Sequence, residues 1–270
     1  MTPAGIRIPK TLSKTRQISA SIGALVAFLL VIASGCLRPA QQYSDFTTPT
    51  PLRRNDYLVI GIVGGRQSWN NDKLSVRQLA LRLRDRDMPG VRVETLENAQ
   101  RPLAVQLIRK ALDRDGDGTL SAGERESARI ILYGLSFGAA AVAKLSWELD
   151  TMGIPVLLTV QVDSVGVGDA SIPPNVRLAA NFYQPNGWFI KGEPEIHAAD
   201  PARTKIIGNF KYDYSNKDVD ISHVHWFRKL FRVAHAKMSF DPDVWAEVET
   251  LILNVIQPAG ERRPTSRSRH

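Results

Sequence analysis

The sequence predicts an α/β domain: a mainly parallel sheet flanked by helices, in a single domain. Three observations carry this. β-branched apolar runs recur along the chain, segments with helical hydrophobic spacing fill the gaps between them, and 43% of the 270 residues are hydrophobic, enough for one sizeable core. The 16 prolines and 19 glycines are ordinary counts, which excludes a disordered or fibrous description of the whole chain. No internal repeat is visible.

The first strand is the run Tyr57-Leu58-Val59-Ile60-Gly61-Ile62-Val63, ending at Gly64-Gly65. It is apolar throughout, as a strand covered on both faces is. Val76, Leu79, Ala80 and Leu83 then recur at helical spacing among charged neighbours, and Pro89-Gly90 stops that pattern. Val91-Arg92-Val93-Glu94-Thr95 alternates as a strand does, and residues 102–112 are again helical. Ile130-Ile131-Leu132-Tyr133 is a short buried strand, followed at 138–149 by a helix of small and apolar residues that can lie close to a sheet. Residues 155–162 form another β-branched run. Further strands are expected at 176–182 and, more weakly, at 204–210. Asp241 caps a last helix over 242–256, where Val244, Val248, Leu251 and Val255 make one face.

The formal net charge of +8 suggests a nucleic-acid or membrane-surface protein until its distribution is examined. Residues 57–257 are balanced, with 24 basic and 24 acidic side chains, and the surplus lies at the two ends. A body that grips phosphates along its surface is therefore not expected, and no nucleic-acid partner is.

The N-terminal end explains part of that surplus. Arg7, Lys10, Lys14 and Arg16 precede an uncharged run from 18 to 33, which closes in Ala33-Ser34-Gly35-Cys36. A basic segment, an apolar run and a small-residue stop are the parts of a secretory signal. With the chain's single cysteine directly after the small residues, the segment resembles a bacterial lipoprotein signal. The resemblance implies export, lipidation of Cys36 and anchoring at a membrane of the cell envelope. An uncleaved membrane anchor and ordinary cleaved secretion remain as alternatives. The expected organisation is a signal segment at 1–35, a polar tether at 36–56, the domain at 57–257 and a disordered basic tail at 258–270. One cysteine excludes an intrachain disulfide.

Gly134-Leu135-Ser136-Phe137-Gly138 matches G-x-S-x-G between a buried strand and an alanine-rich helix. That setting presents a serine hydroxyl on a sharp turn at the carboxyl end of a sheet, beside a helix N-terminus that favours negative charge. Over residues 57–257 the chain resembles the α/β-hydrolase family, whose lipase- and esterase-like members act through a serine, a histidine and an acid. The resemblance implies Ser136 as nucleophile. The order of that family, serine then acid then histidine, directs attention to Asp163 at the end of the next strand, with Asp200, Asp213 and Asp220 as fallbacks. The family's histidine sits in a loop leading to the last helix, and His235, shortly before Asp241-Pro242 and that helix, fits it best; His223 and His225 are alternatives, while His197 and His270 fit poorly. The family's oxyanion donors would be the backbone N–H of Phe137 and that of Gly65 or Arg66. Ahead of this serine turn, the elbow at 134–138, the chain departs from the family pattern, since the usual N-terminal strands are not evident. A serine in such a turn that only caps a helix is the structural alternative.

Residues 113–124 read Asp-Arg-Asp-Gly-Asp-Gly-Thr-Leu-Ser-Ala-Gly-Glu and match D-x-D-x-D-G-x5-E at every position. The segment resembles an EF-hand loop. Ca2+ ligands would come from Asp113, Asp115, Asp117, the Thr119 carbonyl, Ser121 and Glu124, with Gly118 at the sharp turn. No helix is evident after the loop, so a structural ion is expected rather than a helix-opening sensor.

These readings lead to an exported serine hydrolase acting on a small-molecule or lipid ester, or a thioester, with a structural Ca2+ site. The competing expectation is a non-catalytic calcium-binding surface lipoprotein that keeps the fold for binding. A peptidase on the same three residues is a third.

Overall fold

A computed structural model of the chain describes residues 39–186, 192–222 and 226–256. The expected signal segment with Cys36, the tail at 258–270, and His223 and His225 lie outside the described residues. Among the described residues no helix is long and apolar enough to cross a membrane.

The central sheet has six strands, β1 (Tyr57–Val63), β2 (Val91–Glu97), β3 (Ile130–Leu135), β4 (Val156–Val162), β6 (Val176–Tyr183) and β8 (Lys205–Lys211). They lie in the order β2-β1-β3-β4-β6-β8, and every pairing is parallel. Two short strands, β5 (Ser171–Ile172) and β7 (His197–Ala198), pair separately in the excursion between β4 and β8. The sheet is flanked by α1 (Ser75–Asp85), α2 (Arg101–Leu112), α3 (Ala122–Glu126), α4 (Phe137–Thr151), α5 (Trp226–Phe240) and α6 (Pro242–Ile256).

Parallel crossovers place helices on both faces, so the strands must be apolar on both. On β1, Val59 and Val63 pack into one core with Leu79, Tyr133, Val160, Met238 and Trp245. Their neighbours Leu58, Ile60 and Ile62 pack into the other, with Leu107, Ile108, Leu132, Val142 and Leu145. The unbroken apolar run is thus two alternating stripes. β8 at the edge has no fully buried residue, which is why its signal in the sequence is weak.

The strand order reverses between β1 and β3. Chain leaving β1 turns to one side of the sheet and chain leaving β3 to the other, opening a crevice beyond their carboxyl ends, where open α/β sheets bind ligands.

The structure departs from the sequence expectation in three places. His235 stands within α5, not in a loop before the last helix: Ala234 and Met238, four residues apart, are buried on the face that meets the core. A one-turn helix, α3, follows the acidic loop where none was expected. The third departure concerns the tether, which is corrected from Gln41 onward, where the chain belongs to the compact unit. The buried Gln41 side chain donates to Thr95 O at 2.9 Å and accepts from Glu97 N at 3.1 Å. The backbone N–H and hydroxyl groups of Thr47 and Thr48 all converge on Glu94 Oε1, at 2.7–3.0 Å. Glu94 is buried on β2, and its other oxygen meets Arg84 at 2.9 Å. A buried carboxylate must be paired, and the strap supplies four of its donors.

Candidate active site

Ser136 lies between β3 and α4 with φ 58° and ψ −124°, a conformation that non-glycine residues rarely adopt. The glycines around it are required by contact. A Cβ on Gly138 would strike the Ile62 carbonyl oxygen and lie 2.8 Å from that of Val63; one on Gly134 would lie 2.5 Å from Gly138 O. Only with both positions bare can α4 start directly against β1. The turn is closed by Ser136 N donating to Val162 O at 2.9 Å and by Ala139 N and Ala140 N donating to Ser136 O. Phe137 is the first residue of α4, so its N–H belongs to the unpaired donors of a helix start.

Asp163 ends β4, fully buried and with φ 44°. Its Oδ2 lies 2.6 Å from His235 Nδ1. A carboxylate accepts, so Nδ1 carries the proton of this pair, and in the neutral ring Nε2 is then the acceptor. Gln184, just past β6, holds the same carboxylate from the other side, its backbone N–H donating to Oδ1 at 3.4 Å and its side-chain amide to Oδ2 at 3.2 Å. Gly192 packs against Asp163 so closely that any Cβ there would strike Oδ1. α5 is itself tied down. Ser75 Oγ, at the start of α1, donates to Ser239 O at 2.5 Å, and Trp245 Nε1 of α6 donates to the same oxygen at 2.9 Å.

Ser136, Phe137 and His235 line one cleft of about 410 Å³, together with Gly64, Gly65 and Arg66. It opens at the β1/β3 crevice. Gly65 has φ 56°. It is Gly64, however, that makes the close approach: its Cβ would lie 2.8 Å from Leu135 O and 3.1 Å from Ser136 Cβ. Asn98 Nδ2 donates to Val63 O at 3.2 Å and also to Gly65 O, holding the loop after β1 in place. Tyr133 crosses over Gly61 so that its hydroxyl donates to Val76 O at 2.9 Å, fixing α1 beside the cleft; burial pushes the phenol's pKa up and keeps it a donor.

The other acids considered lie elsewhere in hydrogen-bonding roles. Asp200 accepts from Ala202 N at 3.0 Å, Asp213 from Ser215 N at 2.8 Å and Asp220 from Ser222 N at 2.8 Å. His197 is exposed on β7. Gln184 and Asn98 were not singled out in the sequence, where neither belongs to a motif.

The acidic loop brings one oxygen each of Asp113, Asp115 and Asp117 within 4.8 Å of one another. Gly116 N and Gly118 N donate to Asp113, and Thr119 N and Oγ1 both donate to Asp117 Oδ1. These three carboxylates fit a hard cation. Glu124, expected as a bidentate ligand, has both its oxygens engaged within the chain. One oxygen accepts from Arg114 N at 2.7 Å, and the other from Ser121 N and Oγ, at 2.9 and 2.8 Å, in the capping box of α3. The backbone N–H of Ser121, then that of Arg114 and the Ser121 hydroxyl, hold its pKa down to about 2. The loop enters β3 at its amino end while Ser136 leaves the carboxyl end, roughly 20 Å away along the strand. A cation there would not touch the cleft.

No family model matches the chain, and no curated protein matches it. Among solved structures it is similar to a novel cutinase-like protein from Cryptococcus sp., at 12% identity over 74% of this chain and 95% of that one, with a TM-score of 0.42. It is also similar to the NocB thioesterase domain from the nocardicin cluster, at 11% identity over 74% and 94%, with a TM-score of 0.38. A dienelactone hydrolase-like promiscuous phosphotriesterase from metagenomic libraries is 12% identical over 80% and 95%, with a TM-score of 0.36.

Proposed function

We propose that the protein is a serine hydrolase acting on an ester or thioester. The observation that carries this reading is the pairing of His235 Nδ1 with the buried Asp163 carboxylate in the wall of the cleft that holds the strained Ser136. Ser136 Oγ attacks the substrate carbonyl while His235 Nε2 takes its proton. The Phe137 N–H, with that of Gly65 or Arg66, receives the oxyanion. Collapse breaks the bond to the alcohol or thiol, which leaves with the proton from His235. Water then attacks the acyl-serine, with His235 again as base, and releases the acid. Asp163 keeps the ring in the required tautomer throughout.

Hydrolysis of para-nitrophenyl esters by the folded protein tests this reading. Turnover that disappears in both Ser136→Ala and His235→Ala is expected. Turnover that survives either substitution, or none by the unsubstituted protein on short and long acyl chains alike, would count against it.

Within the same proposal, Ca2+ binds at Asp113, Asp115 and Asp117 and stiffens the entry to β3, while Glu124 holds the end of the loop. The supporting feature is the convergence of three carboxylates that would otherwise repel one another. Export and lipid attachment at Cys36 complete the reading, supported by the basic, apolar and small-residue order of the first 36 residues. Incorporation of a labelled fatty acid, lost in Cys36→Ser, is the expected result.

A further inference from the structure

The cleft over Ser136 carries charge of one sign. The charged side chains lining it are Arg66, in the loop after β1, and Lys73, on the approach to α1; no aspartate or glutamate lines it among the described residues. Both cations are exposed, and neither side chain has an ion-pair or hydrogen-bond partner among the described residues. Asp72, adjacent to Lys73, is held instead by Arg77 at 3.1 Å. The Asp163 carboxylate is buried behind His235 and engaged by it. The rest of the wall is uncharged, with the apolar Leu74, Val76, Leu135, Ala236 and Phe240 beside the polar Gln67, Asn71, Ser75 and Ser239.

A cleft with low-dielectric walls concentrates the field of the charges at its rim, so two unpaired cations there raise the local concentration of anions. A neutral ester would draw only on the uncharged wall and make no use of the field of the two cations. We infer that the substrate is an anionic ester or thioester, with an apolar portion that lies along the Leu74–Phe240 wall and a carboxylate or phosphate that meets Arg66 and Lys73. The inference rests on the serine hydrolase reading and narrows its substrate class.

The test is a matched set of esters assayed with the full chain. Para-nitrophenyl butanoate is the neutral member. Para-nitrophenyl glutarate carries a carboxylate on the acyl side, the ring-carboxylated butanoate carries one on the alcohol side, and the butanoyl ester of hydroxyphenyl phosphate carries a phosphate there. At low ionic strength, kcat/KM for at least one anionic ester should exceed that of the neutral one by about tenfold, and the excess should shrink in half-molar salt. Which arm responds identifies the anion and its side. In the double variant Arg66→Gln with Lys73→Gln, the anionic-to-neutral ratio should fall towards unity. A wild-type ratio at or below unity in every arm, or a ratio unmoved by the double variant, overturns the inference and leaves the hydrolase reading standing. No turnover of any ester, the neutral one included, overturns both.

Discussion

His235 Nδ1 and Asp163 Oδ2 are 72 residues apart in the chain and 2.6 Å apart in space. The contact joins the end of β4 to a helix reached only after the last strand, and it fixes which ring nitrogen carries the proton. Asp163→Asn keeps the shape but presents an amide where the ring needs an acceptor. Ester hydrolysis is expected to fall by on the order of a thousandfold or more in kcat, with an unchanged circular dichroism spectrum. A loss below about tenfold would remove Asp163 from the proposed role.

Gln184 is expected to act as a positioning residue, since it touches Asp163 and does not line the cleft. Gln184→Leu deletes the amide donor to Oδ2 and leaves a buried carboxylate short of a partner. We expect kcat to drop by about tenfold with KM little changed, and Gln184→Asn to restore part of it. A rise in KM alone would place the residue with substrate binding instead.

The elbow glycines give a stability prediction with an internal control. The Cβ of Gly138→Ala meets the backbone of β1, which cannot yield. It should cost about 1–3 kcal/mol in urea unfolding, as overpacking does, and lower activity. Gly123, in α3, has open space around its Cβ position, and Gly123→Ala should be neutral or stabilising by up to ~1 kcal/mol. Equal effects of the two substitutions would contradict the close approach.

The acidic loop should register calcium as stability. A ligand that binds only the folded chain at a hundred times its Kd adds about 2.7 kcal/mol. The melting temperature is therefore expected to rise with Ca2+, to fall with chelator, and to lose this response in Asp115→Ala. Because the loop and Ser136 lie at opposite ends of β3, chelator should reduce stability before it reduces kcat at low temperature.

What was legible in the sequence follows a physical division. Strands covered on both faces are apolar throughout, so β1, β3 and β4 could be read directly, while β2 showed as an alternating run and edge strand β8 gave the weakest signal. Ser136 announced itself because a strained turn demands bare neighbours, and Asp163 because it stands at a strand end. Residues that act through unmotivated long-range contacts were not legible. Gln184 reaches Asp163 only because β6 lies beside β4, and Asn98 reaches Gly65 only because β2 lies beside β1. The strap at 41–48 looked like a polar tether because its binding partner, Glu94, reads in sequence as one polar position of an alternating strand. The loop expected around His235 rests on the resemblance alone; in this chain the stretch is a helix, because Ala234 and Met238, one turn apart, face the core.

The central claim is that Ser136 is an activated nucleophile. Intact-mass measurement after exposure to a fluorophosphonate tests it most directly, because the reagent requires the activated serine and no knowledge of the substrate. One covalent adduct on the folded protein, absent in Ser136→Ala, is the result expected. No adduct on the folded protein, or the same adduct on Ser136→Ala, would contradict the account.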